Sequence, residues 1–206
     1  MATLLAIKAH PMTDEASKSM KVFYAFLDSY KKSHPEDEII TLDLYHEDFP
    51  EIDYDIMSGW NDLREGKDFA ELTAEQQRKI ARFNESTEQF LAADKVVVAN
   101  GLWNLNIPTR LKAWFDTINV AGKTFRYTEA GPQPLTEGKK ALHIQASGGA
   151  YEGQDFASQY VKGILNFIGV TDFQQIFVEG ADHFPEKTES IINAAIEKAE
   201  AISLNF

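Results

Sequence analysis

The sequence predicts an α/β fold: a five-stranded parallel sheet with helices on both faces, in three layers. Three observations carry that prediction. Short apolar runs rich in β-branched residues recur along the chain, around residues 3–9, 38–45, 95–99, 140–146 and 172–178. Between them apolar residues fall at helical spacing. Gly, Pro, Ser and Asn gather at the changes of period, where turns and caps belong.

Each element has its own warrant. Thr3 to Ala9 reads as the first strand. From Ala16 the period becomes helical, with Met20, Phe23, Phe26, Leu27 and Tyr30 on one face. The run EIITLDLY reads as the second strand. From Glu47 to Leu72 no period is clear, and Pro50, Gly59 and Gly66 interrupt it, which predicts a long excursion with at most a short helix. Thr73 and Gln76 fit a capping box, in which Thr caps and Gln reaches back. The helix they open turns Ile80, Phe83, Thr87, Phe90 and Leu91 inward. Lys95 to Ala99 is the third strand, and Pro108 stands where the first helical position belongs. A loop with Gly122, Gly131, Pro132 and Pro134 runs from Val120 to Gly138. Lys140 to Ala146 is the fourth strand, ended by Ser147-Gly148-Gly149. Phe156 to Ile168 is amphipathic and stops at Gly169. Asp172 to Val178 is the fifth strand, and Thr188 to Leu204 closes the chain as a helix.

Composition bounds the function. The 206 residues suit one domain, with insertions near 47–72 and 120–138. The formal net charge of -12 argues against nucleic acid and anionic membranes, both polyanions. With no Cys, disulfides, thiolate zinc sites, iron–sulfur clusters and a cysteine nucleophile are excluded. The first residues read as a strand rather than a signal peptide, and no stretch approaches membrane-spanning length. The expectation is a soluble protein of the cytoplasm.

Strands that alternate with helices form parallel sheets, and right-handed crossovers leave few topologies. The flavodoxin-like order 2-1-3-4-5 comes first. A six-stranded dinucleotide fold is second, since no strand is followed by G-x-G-x-x-G. In the first order, ligands bind where strand order reverses, beyond the carboxyl ends of strands one, three and four. All three loops there carry binding chemistry. KAHPMTDEASKS ends in Ser17-Lys18-Ser19, two hydroxyls and a cation in the first turn of a helix, which suits a phosphate. Ordinary helix capping by Ser17 explains the same residues. LWNL, from Leu102 to Leu105, offers main-chain amides, the Asn104 amide and apolar cover for the edge of a planar heterocycle. Core packing of Trp103 is the plain alternative. Gly148-Gly149 permits close backbone approach, and suits a tight turn equally well. A planar ring with a phosphate tail occupies all three loops, and flavin mononucleotide (FMN) has that shape.

Over nearly its whole length the chain resembles the FMN-dependent, nicotinamide-linked azoreductases, also described as quinone reductases. The resemblance is carried by Ser17 to Ser19, LWNLNIPTRLKAWFD from Leu102, GKTFRYTEAGPQPL from Gly122 and GKKALHIQASGGAYEG from Gly138. It implies a tightly bound, non-covalent FMN. Its phosphate would lie at Ser17, Lys18 and Ser19, with a contribution from His10. Its ring would lie against Leu102, Trp103, Asn104 and Leu105, and a further segment at Ala146, Ser147, Gly148 and Gly149. It implies a homodimer with sites at the interface, and Phe125 and Tyr127 framing the substrate space. NADH or NADPH would donate hydride, and quinones or azo compounds would accept it in a second step. The flavin then carries the chemistry and no protein residue is catalytic. The chain departs from the family pattern at Gly101 (Pro is usual), Leu105 (often Phe) and His10 (usually Ser), which bears on flavin affinity and potential.

Two rivals remain. A flavodoxin-like electron carrier suits the acidic surface, but not the added segments. A metal-dependent phosphoesterase would use Asp43, His46 and Asp48; these and Glu47 lie too close along one strand end to converge on a metal unaided, and no metal is expected there. His143 reads as a packed core histidine, His183 as a turn residue, and Arg126 as a partner for an interface carboxylate.

Overall fold

The computed structural model describes residues 1–206. In chain order the strands are β1 (Thr3–Ala9), β2 (Glu38–Asp43), β3 (Lys95–Gly101), β4 (Phe125–Thr128), β5 (Gly131–Pro134), β6 (Lys140–Ala146) and β7 (Asp172–Val178). The helices are α1 (Lys18–Ser33), α2 (Tyr54–Arg64), α3 (Ala74–Ala92), α4 (Thr109–Ile118), α5 (Phe156–Ile168) and α6 (Thr188–Ser203). Single 3-10 turns lie at Phe69–Glu71 and Pro185–Lys187.

Five strands form one parallel sheet in the order β2-β1-β3-β6-β7. Counting sheet strands alone, this is the expected 2-1-3-4-5. Its inner strands are buried on both faces, which explains their unbroken apolar runs. Leu4, Ala6, Val97 and Ala99 face α1 and α6, against Phe23 and Phe26. Leu5, Ile7, Val96 and Val98 join Phe90, Trp114, Phe115 and Leu165 in the other cluster, from α3, α4 and α5. The register aligns Ala9 with Asn100, Gly101 with Ala146, and Ala146 with Val178, so the loops after β1, β3 and β6 leave from one level.

Four local expectations change. The 47–72 excursion holds an eleven-residue helix, α2, capped by Asp53. Only Ile56 and Gly59 of α2 are buried, so no stripe is visible in the sequence. A Cβ at Gly59 would lie 2.7 Å from Ile80 Cδ1, and the bare glycine is what lets α2 settle on α3. The 120–138 loop folds into the antiparallel hairpin β4–β5, despite two prolines in β5. Pro108 takes the cap position, one residue before α4. The second strand ends at Asp43 and the third extends to Gly101. The capping box at Thr73 forms as expected, with reciprocal bonds of 3.2 and 2.9 Å to Gln76. Gly169 ends α5 with φ of 108°, a left-handed conformation that only glycine adopts freely.

At the amino ends of the strands one carboxylate ties four elements together. Asp37 accepts from Ala2 N–H at 2.6 Å and Tyr30 O–H at 2.6 Å, and pairs with Lys95 at 3.2 Å. These bonds, the Ala2 amide foremost, hold its carboxyl well below the usual range. Its substitution strands several donors at once. Asp37→Ala should therefore cost about 2–4 kcal/mol in chemical denaturation; a loss below about 1 kcal/mol would show that the cluster is ornamental.

Candidate functional site

The site is built where β1, β3 and β6 end. After β1, His10 turns its Nδ1 to accept from Met12 N–H at 3.1 Å, so in the neutral ring the proton sits on Nε2. Burial, then the charge of Lys8, lowers its pKa. Ser17 caps α1: its Oγ accepts from Met20 N–H at 3.4 Å and lies 3.1 Å from Ser19 Oγ. The N–H groups of Lys18 and Ser19 have no acceptor in the chain. Free amides, two hydroxyls and the positive end of a helix make an anion seat.

After β3 the backbone makes a two-residue turn. Trp103 and Asn106 exchange both main-chain hydrogen bonds, each 3.0 Å, around Asn104 and Leu105. Both central residues have positive φ, 50° and 62°, the mark of a type I′ turn. Asn tolerates that region; a Leu does not, at a cost of about 1–2 kcal/mol. Such strain is retained mostly where a ligand is held. The N–H groups of Asn104 and Leu105 are likewise without acceptors. The indole of Trp103 folds back over Gly101, where a Cβ would lie 2.7 Å from Nε1. It meets His10 edge-on at 5.1 Å and Tyr45 at 6.2 Å. Trp103 is 38% exposed, so it is surface lining rather than core.

After β6, Ser147 Oγ donates to Gly149 O at 2.8 Å, while Gly148 and Gly149 keep free N–H groups. Glu179 holds the continuation, accepting from Tyr151 and Glu152 N–H at 3.0 and 2.9 Å.

The three loops share one cleft of about 240 Å³. It is lined by His10, Ser17, Lys18, Ser19, Gly101, Leu102, Trp103, Ala146, Ser147 and Gly148. Asp182, from the loop after β7, completes it. Three-strand reasoning missed this residue, because only the register of β6 on β7 brings that loop alongside. Trp103 also borders a second hollow of about 430 Å³, with Asn104, Ile107, Lys112 and Tyr160. A third, of about 380 Å³, shares Lys112 and Tyr160 and reaches Phe125 and Tyr127. Tyr127 stands 74% exposed, while Phe125 is buried against Phe167, centroids 4.9 Å apart.

Beneath the strand ends runs a buried polar chain. Gln175 donates to His143 Nδ1 at 3.1 Å, and His143 Nε2 donates to Asn100 Oδ1 at 2.7 Å. Asn100 Nδ2 donates to Gly101 O at 3.0 Å, and Gln145 Nε2 donates to Asp155, the cap of α5, at 3.1 Å. His143 is thus a core histidine that orients Asn100 under the turn. Burial pushes its pKa down to about 3, with only partial relief from Asp155.

The remaining candidates are engaged elsewhere. Asp43 pairs with Lys8 at 2.5 Å and His46 at 2.9 Å, Glu47 with Arg82 at 2.9 Å, and Asp48 with Arg78. Arg126 reaches across its hairpin to Gln133 at 3.3 Å. His183 lies in a turn, its N–H on Gly180 O.

Fold and site define a flavodoxin-like protein, and the family model described as flavodoxin-like fold matches residues 2–202. The chain is 48% identical, over the full length of both proteins, to one from Geobacillus kaustophilus named FMN-dependent NADH:quinone oxidoreductase. It superposes on the crystal structure of an azoreductase from Bacillus anthracis str. Sterne with a TM-score of 0.91, at 38% identity and full coverage of both chains. An FMN-dependent NADH-azoreductase from Bacillus anthracis str. Ames Ancestor, solved in complex with FMN, gives 0.89 at 34% identity, with 98% of this chain and 100% of that one covered. The chain belongs to this family of flavodoxin-like quinone reductases and azoreductases.

The buried histidine predicts a pH effect. Its native pKa lies below the unfolded 6.5, so the unfolded chain takes up a proton that the native chain refuses. Stability is full above that pH and falls as pH drops toward 3. His143→Gln, which keeps a donor and an acceptor, should reduce the stability lost between about pH 6.5 and 5 by about 1 kcal/mol. Urea unfolding at the two pH values reads this directly, and an unaltered difference would mean that the native ring is charged.

Proposed function

We propose that this chain is an FMN-dependent NADH:quinone oxidoreductase that also reduces aromatic azo compounds, in two separate half-reactions. One observation carries the reading. An anion seat opens into a cleft shared by the ends of β1, β3 and β6, where strand order reverses, and Trp103 of the strained turn lines that same cleft. No helix is long and apolar enough to cross a membrane. The lack of Cys suits a reducing compartment, and the cytoplasm is the proposed location.

The residues fit the cofactor. Free N–H groups at Lys18 and Ser19, the hydroxyls of Ser17 and Ser19, and the Lys18 ammonium hold the phosphate. Neutral His10 adds an Nε2–H donor, which replaces a hydroxyl contact with an imidazole contact. Leu102, Trp103, Asn104 and Leu105 line one edge of the ring, and Ala146, Ser147, Gly148 and Gly149 another. Gly101 leaves room for the Trp103 indole, which a side chain there would displace. FMN held by these residues would supply hydride transfer from a nicotinamide donor to a quinone or azo acceptor.

The protein's part is to bind, orient and tune. Amides at Asn104, Leu105, Gly148 and Gly149 are fixed dipoles that favour negative charge beside them. The hollows bordered by Trp103, Ile107, Tyr160, Phe125 and Tyr127 give flat apolar walls for an aromatic acceptor. No side chain is assigned as nucleophile or general acid. We further propose a homodimer with each site completed at the interface. Its support is aromatic exposure: Tyr127 at 74% and Phe156 at 69%. Sedimentation giving one-chain mass at micromolar concentration would overturn that.

Anaerobic NADH should bleach the visible flavin spectrum of the purified protein, and a quinone should restore it. A flavin that NADH leaves oxidised would mark an electron carrier. Asn104→Gly, which keeps the positive φ but removes the side chain, should weaken FMN binding about 5- to 30-fold, the worth of one hydrogen bond to a polar ligand. Tyr127→Ala should raise KM for the acceptor and leave FMN retention intact; parallel losses in both would move the hairpin into the flavin site.

A further inference from the structure

We propose that Asp182 sets how tightly this chain holds a phosphorylated flavin, by engaging Lys18 as a rival anion in the phosphate cleft. This rests on the flavin reading and adds to it a determinant of cofactor selectivity.

Asp182 enters the cleft from the loop after β7. Its Oδ1 lies 2.5 Å from Lys18 Nζ, in the first turn of α1. Its Oδ2 fills the space beside Gly148 that any Cβ there would enter. The bare glycine therefore admits the carboxylate. The loop backbone is tied down: His183 and Phe184 N–H both reach Gly180 O, at 3.1 and 3.0 Å, and Thr188 Oγ1 donates to Ala181 O at 3.0 Å. The side chain is 67% exposed, so it can swing out to solvent without moving its loop.

The charge balance gives the contact its consequence. Lys18 is the one Lys or Arg lining the cleft, and Asp182 is the one carboxylate. Paired, they leave the seat close to neutral. A flavin phosphate brings about 1.5 to 2 negative charges. It must take Lys18 from Asp182 and sit near the displaced carboxylate, or wait until that side chain has turned away. An unphosphorylated flavin meets neither obstacle. Asp182 thus opposes the phosphorylated cofactor selectively, and its charge is the operative property.

The test is a titration of flavin-free protein with FMN and with riboflavin, read by quenching of flavin fluorescence at low salt. Asp182→Asn keeps size and removes charge, and Asp182→Ala removes the contact. Both should lower the Kd for FMN about fivefold or more, with riboflavin unchanged within roughly twofold. FMN binding that is unchanged or weaker in both variants overturns the proposal. Tightening of both flavins equally also overturns it, since charge would then not be the cause. A wild-type chain that binds neither flavin refutes the flavin reading itself, an outcome distinct from equal FMN affinity in wild type and variants.

Discussion

The site depends on one topological constraint: the strand order reverses between β1 and β3, since β1 leads to β2 on one side and β3 leads to β6 on the other. From β1 the chain crosses to one face through α1, and from β3 and β6 it crosses to the other through α4 and α5. Their loops must part as they leave the strand ends, and a crevice opens between them. The register brings those ends level, so the crevice has a floor of backbone rather than a slope. Every chemical feature of the site follows from what the parting loops leave uncovered.

What they leave is mostly main chain. The N–H groups of Lys18, Ser19, Asn104, Leu105, Gly148 and Gly149 all find no acceptor within the fold. Free donors at neighbouring strand ends favour an anion and an electron-rich ring edge over a cation, in a molecule whose net charge is -12. The left-handed Leu105 is held by paired hydrogen bonds on either side of the turn, and Asn100 is oriented beneath it by His143. Rigid support beneath a strained turn is what preorganised binding requires.

The sheet was legible because buried parallel strands carry their signal locally, as apolar runs at 3–9, 95–99 and 140–146. Ser17-Lys18-Ser19 and Gly148-Gly149 were legible because caps and tight turns demand particular residue types. The type I′ turn was not, since Leu105 breaks the composition rule for positive φ and only cross-turn bonding holds it there. The β4–β5 hairpin hid behind Pro132 and Pro134, and α2 behind a surface with two buried positions. Asp182 and the Gln175–His143–Asn100 chain depend on register between strands far apart in sequence, which no local pattern encodes.

A crystal structure of this chain grown with FMN tests the central claim most directly. The account predicts the phosphate at the amino end of α1, within hydrogen-bond distance of the Lys18 and Ser19 amides. It predicts the ring edge on the free amides of the 103–106 turn and of Gly148-Gly149. A flavin bound with its phosphate away from α1, or with the 103–106 turn in solvent, would contradict it.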